Sequence, residues 1–260
     1  MLIDSHCHLD RLDLTPYQND FSRLIRETVE SGVSHLLCVS ITLEKYLGMR
    51  QLVDPFPQIS VSVGVHPTEE GCEEPDVARL TALSADARVV AIGETGLDYF
   101  HGDASHRDRQ QARFRTHIRV AVDRQKPLII HTREAREDTL RILREEGAER
   151  AGGVLHCFTE DWETAKAALD LGFYISLSGI LTFKNAAQIQ DVARRMPQDR
   201  LLIETDSPYL APVPLRGKPN YPAFVRHVAS FLAELRGESF EAVATYTADN
   251  FRTLFPLAEA

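Results

Sequence analysis

Two histidines separated by one residue stand at the start of the chain, His6 and His8 in Asp4-Ser5-His6-Cys7-His8-Leu9. Residues two apart on an extended strand point to one face, so both imidazoles are presented together. Such a pair can contribute to a metal site, because neutral imidazole is a common ligand for divalent cations. The remaining ligands must come from distant parts of the chain. Candidates are Glu94 in Gly93-Glu94-Thr95-Gly96, His131 in His131-Thr132-Arg133, His156 in His156-Cys157-Phe158, and Asp206 in Glu204-Thr205-Asp206-Ser207-Pro208.

Taken singly, a strand-end histidine is more often a hydrogen-bonded structural residue, and a strand-end carboxylate more often caps the next helix. Six metal-competent groups at the same end of successive strands are a different matter. Burying that many ionisable groups without a cation is costly. Four histidines with carboxylates suit zinc, manganese, nickel or cobalt better than a pure magnesium cage. Two divalent ions sharing Glu94 fit the ligand count, and such a pair can clamp an oxygen anion and draw hydroxide from water near neutral pH. Asp4 and Glu204 lie two residues deeper than His6 and Asp206 and are candidates to support them by hydrogen bonds.

His66, in Gly64-Val65-His66-Pro67, is a candidate substrate contact at the same end, set too far back for direct ligation. His35, His117 and His227 read as structural, while His101 and His106 lie in a loop that a substrate can reach. The four cysteines, Cys7, Cys38, Cys72 and Cys157, form no C-x-x-C pair, which disfavours a thiolate zinc site. Cys7 and Cys157 read as small packing residues behind the neighbouring histidines.

Positioning these groups requires eight strands with helices between them. Candidate strands are Leu2–Leu9, His35–Ser40, Ile59–Val65, Val89–Glu94, Pro127–His131, Gly153–Cys157, Phe173–Ser178 and Leu201–Thr205. Several are apolar on both faces, as parallel strands covered by helices are. Helical spacing marks Asp20–Ser31, Arg107–Arg124, Glu134–Glu146, Trp162–Leu171, Asn185–Arg195 and Ala223–Leu235. Glu238–Tyr246 and Ala248–Leu254 read as terminal helices packed on the outside. The alternation predicts an α/β fold, a single (β/α)₈ TIM-type barrel with extra C-terminal helices. An open doubly wound sheet is second, since no G-x-G-x-x-G follows the first strand. One domain over residues 1–260 is expected, with Pro208–Pro222 as a long loop at the site.

No apolar run is long enough to span a bilayer, and the first residues lack the pattern of a signal peptide, so a cytoplasmic protein is expected. The net charge of −9 argues against broad electrostatic binding of duplex nucleic acid, though not against a strand end entering a metal-lined pocket.

In order and spacing these motifs resemble the TatD family of metal-dependent deoxyribonucleases, within the amidohydrolase-like metal barrels. The likeness rests on Asp4–Leu9, Gly64–Pro67, Gly93–Tyr99, His131–Arg133, His156–Phe158 and Glu204–Pro208, together with Arg216-Gly217-Lys218 and Ala248-Asp249-Asn250-Phe251. It implies metal-ligand roles for His6, His8, Glu94, His131, His156 and Asp206. It also implies two divalent ions, Mg, Mn or Zn, and cleavage of phosphodiester bonds in DNA, 3′-to-5′ on single strands or strand ends, with RNA as a further option. The implied protein is a monomer or weak oligomer with no membrane partner. Two departures stand out. Thr159-Glu160 replaces a pair of small residues after His-Cys-Phe, and the family's Arg-Gly-Lys-Arg-Asn-Glu-Pro loop reads Arg216-Gly217-Lys218-Pro219-Asn220-Tyr221-Pro222.

The mechanism so implied is in-line attack by water, with Asp206 and Glu94 as catalytic carboxylates and Asp206 orienting or deprotonating the water. Arg133, Arg216 and Lys218 are candidate phosphate contacts, and Tyr99 and Phe100 candidate stacking surfaces. Three rivals remain open. The first is an amidohydrolase acting on a small C–N or ester substrate. The second is a D-aminoacyl-tRNA deacylase. The third is a metal-binding protein without catalysis.

Overall fold

The computed structural model describes residues 1–101 and 103–258. The single-domain expectation also takes in residues 102, 259 and 260, which lie outside the described residues.

Eight parallel strands form one sheet in sequential order: β1 (Leu2–Cys7), β2 (Val33–Cys38), β3 (Ile59–Val63), β4 (Val89–Asp98), β5 (Leu128–Arg133), β6 (Gly153–Leu155), β7 (Tyr174–Leu177) and β8 (Leu201–Ile203). The barrel closes just beyond the last strand. Cys7 pairs with Ser207, the His8 N–H donates to the Ser207 carbonyl (2.8 Å), and the Asp206 N–H donates to the His6 carbonyl (3.0 Å). The outer helices are α1 (Phe21–Glu30), α2 (Leu43–Val53), α3 (Val77–Leu83), α4 (Arg107–Arg124), α5 (Arg136–Glu145), α6 (Trp162–Asp170), α7 (Ala187–Arg195) and α8 (Val225–Arg236), followed by α9 (Phe240–Leu254). No described helix is long and apolar enough to cross a membrane.

Local chemistry sets several boundaries. Asp20, Asp76 and Asp161 accept a hydrogen bond from a first-turn N–H and so cap α1, α3 and α6. Two helices absent from the sequence reading, α2 and α3, fill the crossovers on either side of β3. The C-terminal segment is one helix, not two. It runs through the expected break at Thr247, whose hydroxyl donates to the Val243 carbonyl (2.8 Å). Its first half packs on the outside as expected, with Val243 and Ala244 in the core between the sheet and the helices, but its second half does not. Its Phe251 and Leu254, with Phe255 just past its end, join Ile3, Leu37, Val90, Ile129, Val154, Tyr174 and Leu202 in one buried apolar cluster. That set takes an inward residue from seven strands, so α9 closes the N-terminal end of the barrel.

The first strand departs from simple alternation. Ile3 belongs to the inner cluster and Leu2 to the outer one. Alternation from Ile3 would turn His6 and His8 outward. The pairing of β1 with β2 shifts between Asp4 and Cys7, and the extra residue in β1 turns His6 and His8 inward.

Candidate metal centre

At the C-terminal mouth the six expected ligands converge around Glu94, which is buried. Its Oε2 lies 3.4 Å from His6 Nε2 and 3.7 Å from His8 Nε2. Its Oε1 lies 2.8 Å from His156 Nε2, 3.3 Å from His131 Nδ1 and 3.2 Å from His66 Nε2. Asp206 Oδ1 faces His6 and His8 from the other side, at 3.7 and 3.5 Å from their Nε2 atoms. Three sets of potential ligand atoms result: His6, His156 and Asp206; His6, His8 and Glu94; His66, Glu94 and His131. His66 is therefore closer than the sequence suggested. It also lines the mouth cavity, where a substrate would meet it.

Three of the rings are aimed by a partner on the far nitrogen. His8 Nδ1 bonds the Val39 carbonyl (3.0 Å), His156 Nδ1 bonds Glu204 (3.2 Å), and His131 Nε2 bonds Asp98 (3.0 Å). Glu204 also accepts from the Cys157 N–H (2.8 Å), so one buried carboxylate fixes the start of the loop after β6. Asp98 accepts from His101 Nδ1 (2.9 Å) and from the N–H groups of Phe100 (3.0 Å) and His101 (2.8 Å). Asp4 ties β1 to the barrel seam instead of touching the rings. It accepts from the Thr205 N–H (2.8 Å) and from Thr205 Oγ1.

The backbone that presents these groups is strained. Glu134, Cys157 and Asp206, just past strands β5, β6 and β8, have φ of 52°, 42° and 55°, and Leu210 in the loop that follows has 57°. Non-glycine residues in this left-handed region cost on the order of 1–3 kcal/mol each. Where even that is too tight, glycine is required. A Cβ on Gly96 (φ +132°) would sit 2.0 Å from the His131 carbonyl oxygen. Only a bare Cα lets β4 run past β5 at the point where His131 emerges.

The electrostatics are those of a site built for cations. Burial alone would raise the Glu94 carboxyl, but His156 and His66 beside it hold it well below the usual carboxylate range. Burial likewise works against ionised Asp206, and the hydrogen bond from His8 overcomes it. His156 moves the opposite way from a normal buried imidazole. Burial lowers it, but Glu94 and Glu204 push it well above its ordinary value. His6 is lowered by burial and by His156, whose ring stacks on it at a centroid distance of 3.8 Å.

Three observations fit divalent cations to these residues. The Nε2 atoms of His6 and His8 lie only 3.3 Å apart, so one proton at most can sit between them. His6 Nδ1 is buried without a hydrogen-bond partner. The two oxygens of Glu94 divide the ring nitrogens between them, as a carboxylate bridging two cations would.

The cavity above the cluster is about 710 Å³ and is lined by His8, His66, His131, His156, Asp206 and, further out, Arg11, Arg133, Phe183 and Tyr209. Of the expected phosphate contacts, Arg133 lines it, with its guanidinium 4.1 Å from the Phe100 ring centroid. Arg216 stacks on Phe183 at 4.3 Å and reaches the cavity only through that ring. Lys218 is exposed in the loop and is not among the lining residues. The loop is anchored by Asn220, whose Nδ2 donates to the carbonyls of Thr205 (2.9 Å) and Tyr209 (2.6 Å). Tyr99 spends its hydroxyl on Asp138 (2.7 Å), whereas Phe100 is 52% exposed. Thr159 lines the cavity, Glu160 lies just beyond it, and Cys157 faces it with Sγ 3.2 Å from Ser178 Oγ. His117 is structural, accepting from the Val65 N–H and donating to the Arg113 carbonyl.

Sequence reasoning assigned no role to Asp98, Asn220, Arg11 or Tyr209. Asp98 had a signal, since it is the second carboxylate of the Gly93–Tyr99 motif. Arg11 and Tyr209 had only their nearness to His8 and Asp206 in the chain.

Comparison with known proteins agrees with this geometry. The family model described as TatD related DNase matches residues 3–256. The chain is 52% identical to an uncharacterised metal-dependent hydrolase, YcfH, of Escherichia coli, over 98% of this chain and 95% of that protein. It is 34% identical to a protein of Rahnella named 3′-5′ ssDNA/RNA exonuclease TatD, over 95% of this chain and 97% of that one. Among solved structures, the TatD homologue YjjV of Escherichia coli superposes with a TM-score of 0.90 at 29% identity, covering 98% of both chains.

Proposed function

The chain belongs to the TatD family of metal-dependent hydrolases, and on that premise we propose that it removes nucleotides from the 3′ ends of single-stranded DNA, and of RNA, as one domain with two divalent ions. The observation that carries this reading is the division of Glu94 between two sets of imidazoles, with Asp206 facing the cavity beside them. His6, His8, Glu94 and Asp206 would hold one cation, and Glu94, His131 and His156 the other, with His66 within reach of the second. When bound, the cations supply positive charge against the phosphate oxygens and make water more acidic.

The chain's own residues do the rest. Asp206, kept ionised by His8, accepts a hydrogen bond from the attacking water and orients it. Asp98 and Glu204 keep His131 and His156 turned toward the centre. Arg133 stands at the cavity wall as a phosphate contact. The name of the Rahnella relative supports a single-stranded substrate and the 3′-to-5′ direction.

End-labelled single-stranded DNA incubated with Mg²⁺ or Mn²⁺ tests the reading. Stepwise shortening from the 3′ end is expected, abolished by chelator and by Asp206→Ala. DNA left intact under every metal overturns it. Turnover of a lactone, cyclic amide or D-aminoacyl-tRNA would then assign the same centre to one of the other hydrolyses.

A further inference from the structure

Two aromatic side chains, Phe100 and Tyr209, appear among the strongly exposed large apolar residues, at 52% and 46%. Both stand at the mouth, and each is held by an arginine that lines the cavity. The Arg133 guanidinium lies 4.1 Å from the Phe100 centroid, and Arg11 Nη1 donates to the Tyr209 hydroxyl at 3.2 Å. A histidine meets each ring at an angle, and Arg133 lies over one face of Phe100. His101 approaches Phe100 at 4.8 Å and 87°, and His8 approaches Tyr209 at 6.0 Å and 66°.

The topology places the pairs opposite each other. Phe100 and Arg133 follow β4 and β5; Arg11 and Tyr209 follow β1 and β8. In an eight-stranded barrel ordered β1 to β8 and closed between the first and last strands, these two boundaries lie across the mouth. The ligand cluster around Glu94 lies between them.

We propose that Phe100 with Arg133 and Tyr209 with Arg11 are two base-stacking platforms, holding unpaired nucleobases on either side of the phosphate that sits over Glu94. The proposal rests on the nuclease reading and adds where the strand lies. A half-exposed ring offers a face to any unpaired base, and the guanidinium beside it offers a cation to the adjoining phosphate. With a net charge of −9, such local contacts, not the overall field, must hold the strand. Bases paired and stacked in a duplex end cannot splay onto two opposed rings, so the platforms select single strands. They also require a nucleotide on each side of the bond that is cut.

The test uses the Mn²⁺-loaded enzyme and a labelled oligothymidylate, intact or with an abasic unit at the last or the penultimate position. Phe100→Ala and Tyr209→Ala are each expected to raise KM for the intact strand about tenfold. Phe100→Tyr and Tyr209→Phe are expected to stay within about twofold of wild type. Each alanine variant should become indifferent to one abasic position, because the ring that position needed is gone. Alanine variants within twofold of wild type, or abasic and alanine losses that combine in full, overturn the platforms while leaving the nuclease reading intact. A wild type that does not shorten the strand overturns both.

Discussion

At the N-terminal end of the barrel, seven strands contribute Ile3, Leu37, Val90, Ile129, Val154, Tyr174 and Leu202, and α9 seals them with Phe251 and Phe255. Two to four residues further along, at the other ends of five of these strands, stand His6, Glu94, His131, His156 and Asp206. The closed end gains from the apolar atoms it buries. The open end buries ionisable groups, sets three non-glycine residues just past strand ends at positive φ, and needs Gly96 to fit. Stability is concentrated at one end and spent at the other, so mutations at the two ends should separate in what they harm.

The largest effect is expected at the mouth. Glu94→Gln removes the carboxylate that five imidazoles share and should lower hydrolysis by on the order of 10³-fold. Steady-state rates at saturating Mn²⁺ check it, and a loss under tenfold would break the distinction. At the closed end, Phe251→Ala should cost about 3–5 kcal/mol by urea denaturation. The rate per folded molecule should stay at the wild-type level, and a parallel loss of activity would show the ends to be coupled.

His117 sharpens the contrast, since it is buried and polar yet away from the mouth cavity. Burial pushes it down to about 4, so folding favours its neutral form. Its contribution is complete above the unfolded value near 6.5 and is lost as pH falls through about 4. The fall should amount to about 3 kcal/mol and be absent in His117→Gln, as read from denaturation midpoints between pH 7 and 4. The smallest expected effect is that of Asp98→Asn, which leaves His131 in place but frees its ring. Metal affinity should drop about 10–100-fold by calorimetry.

Much of the site was legible because strand ends in a parallel barrel share one mouth. His6, His8, Glu94, His131, His156 and Asp206 could be placed together without knowing a single contact. The shift in β1 was not legible. Alternation cannot reveal an extra residue in a ladder, and Ile3 and His6 face the same interior only because of it. The helix α2 escaped notice because exposed Leu47 and an internal Gly48 dilute its apolar face, and α3 because it is short and buries only Leu80. Lys218 looked like a phosphate contact by charge alone. Where its loop runs is decided by the buried amide of Asn220, whose partners are backbone carbonyls.

Calorimetric titration of Mn²⁺ into chelator-treated protein tests the central claim most directly. Saturable binding of two ions per chain is expected, with at least one lost in Glu94→Gln. The absence of saturable binding to the wild type would contradict it.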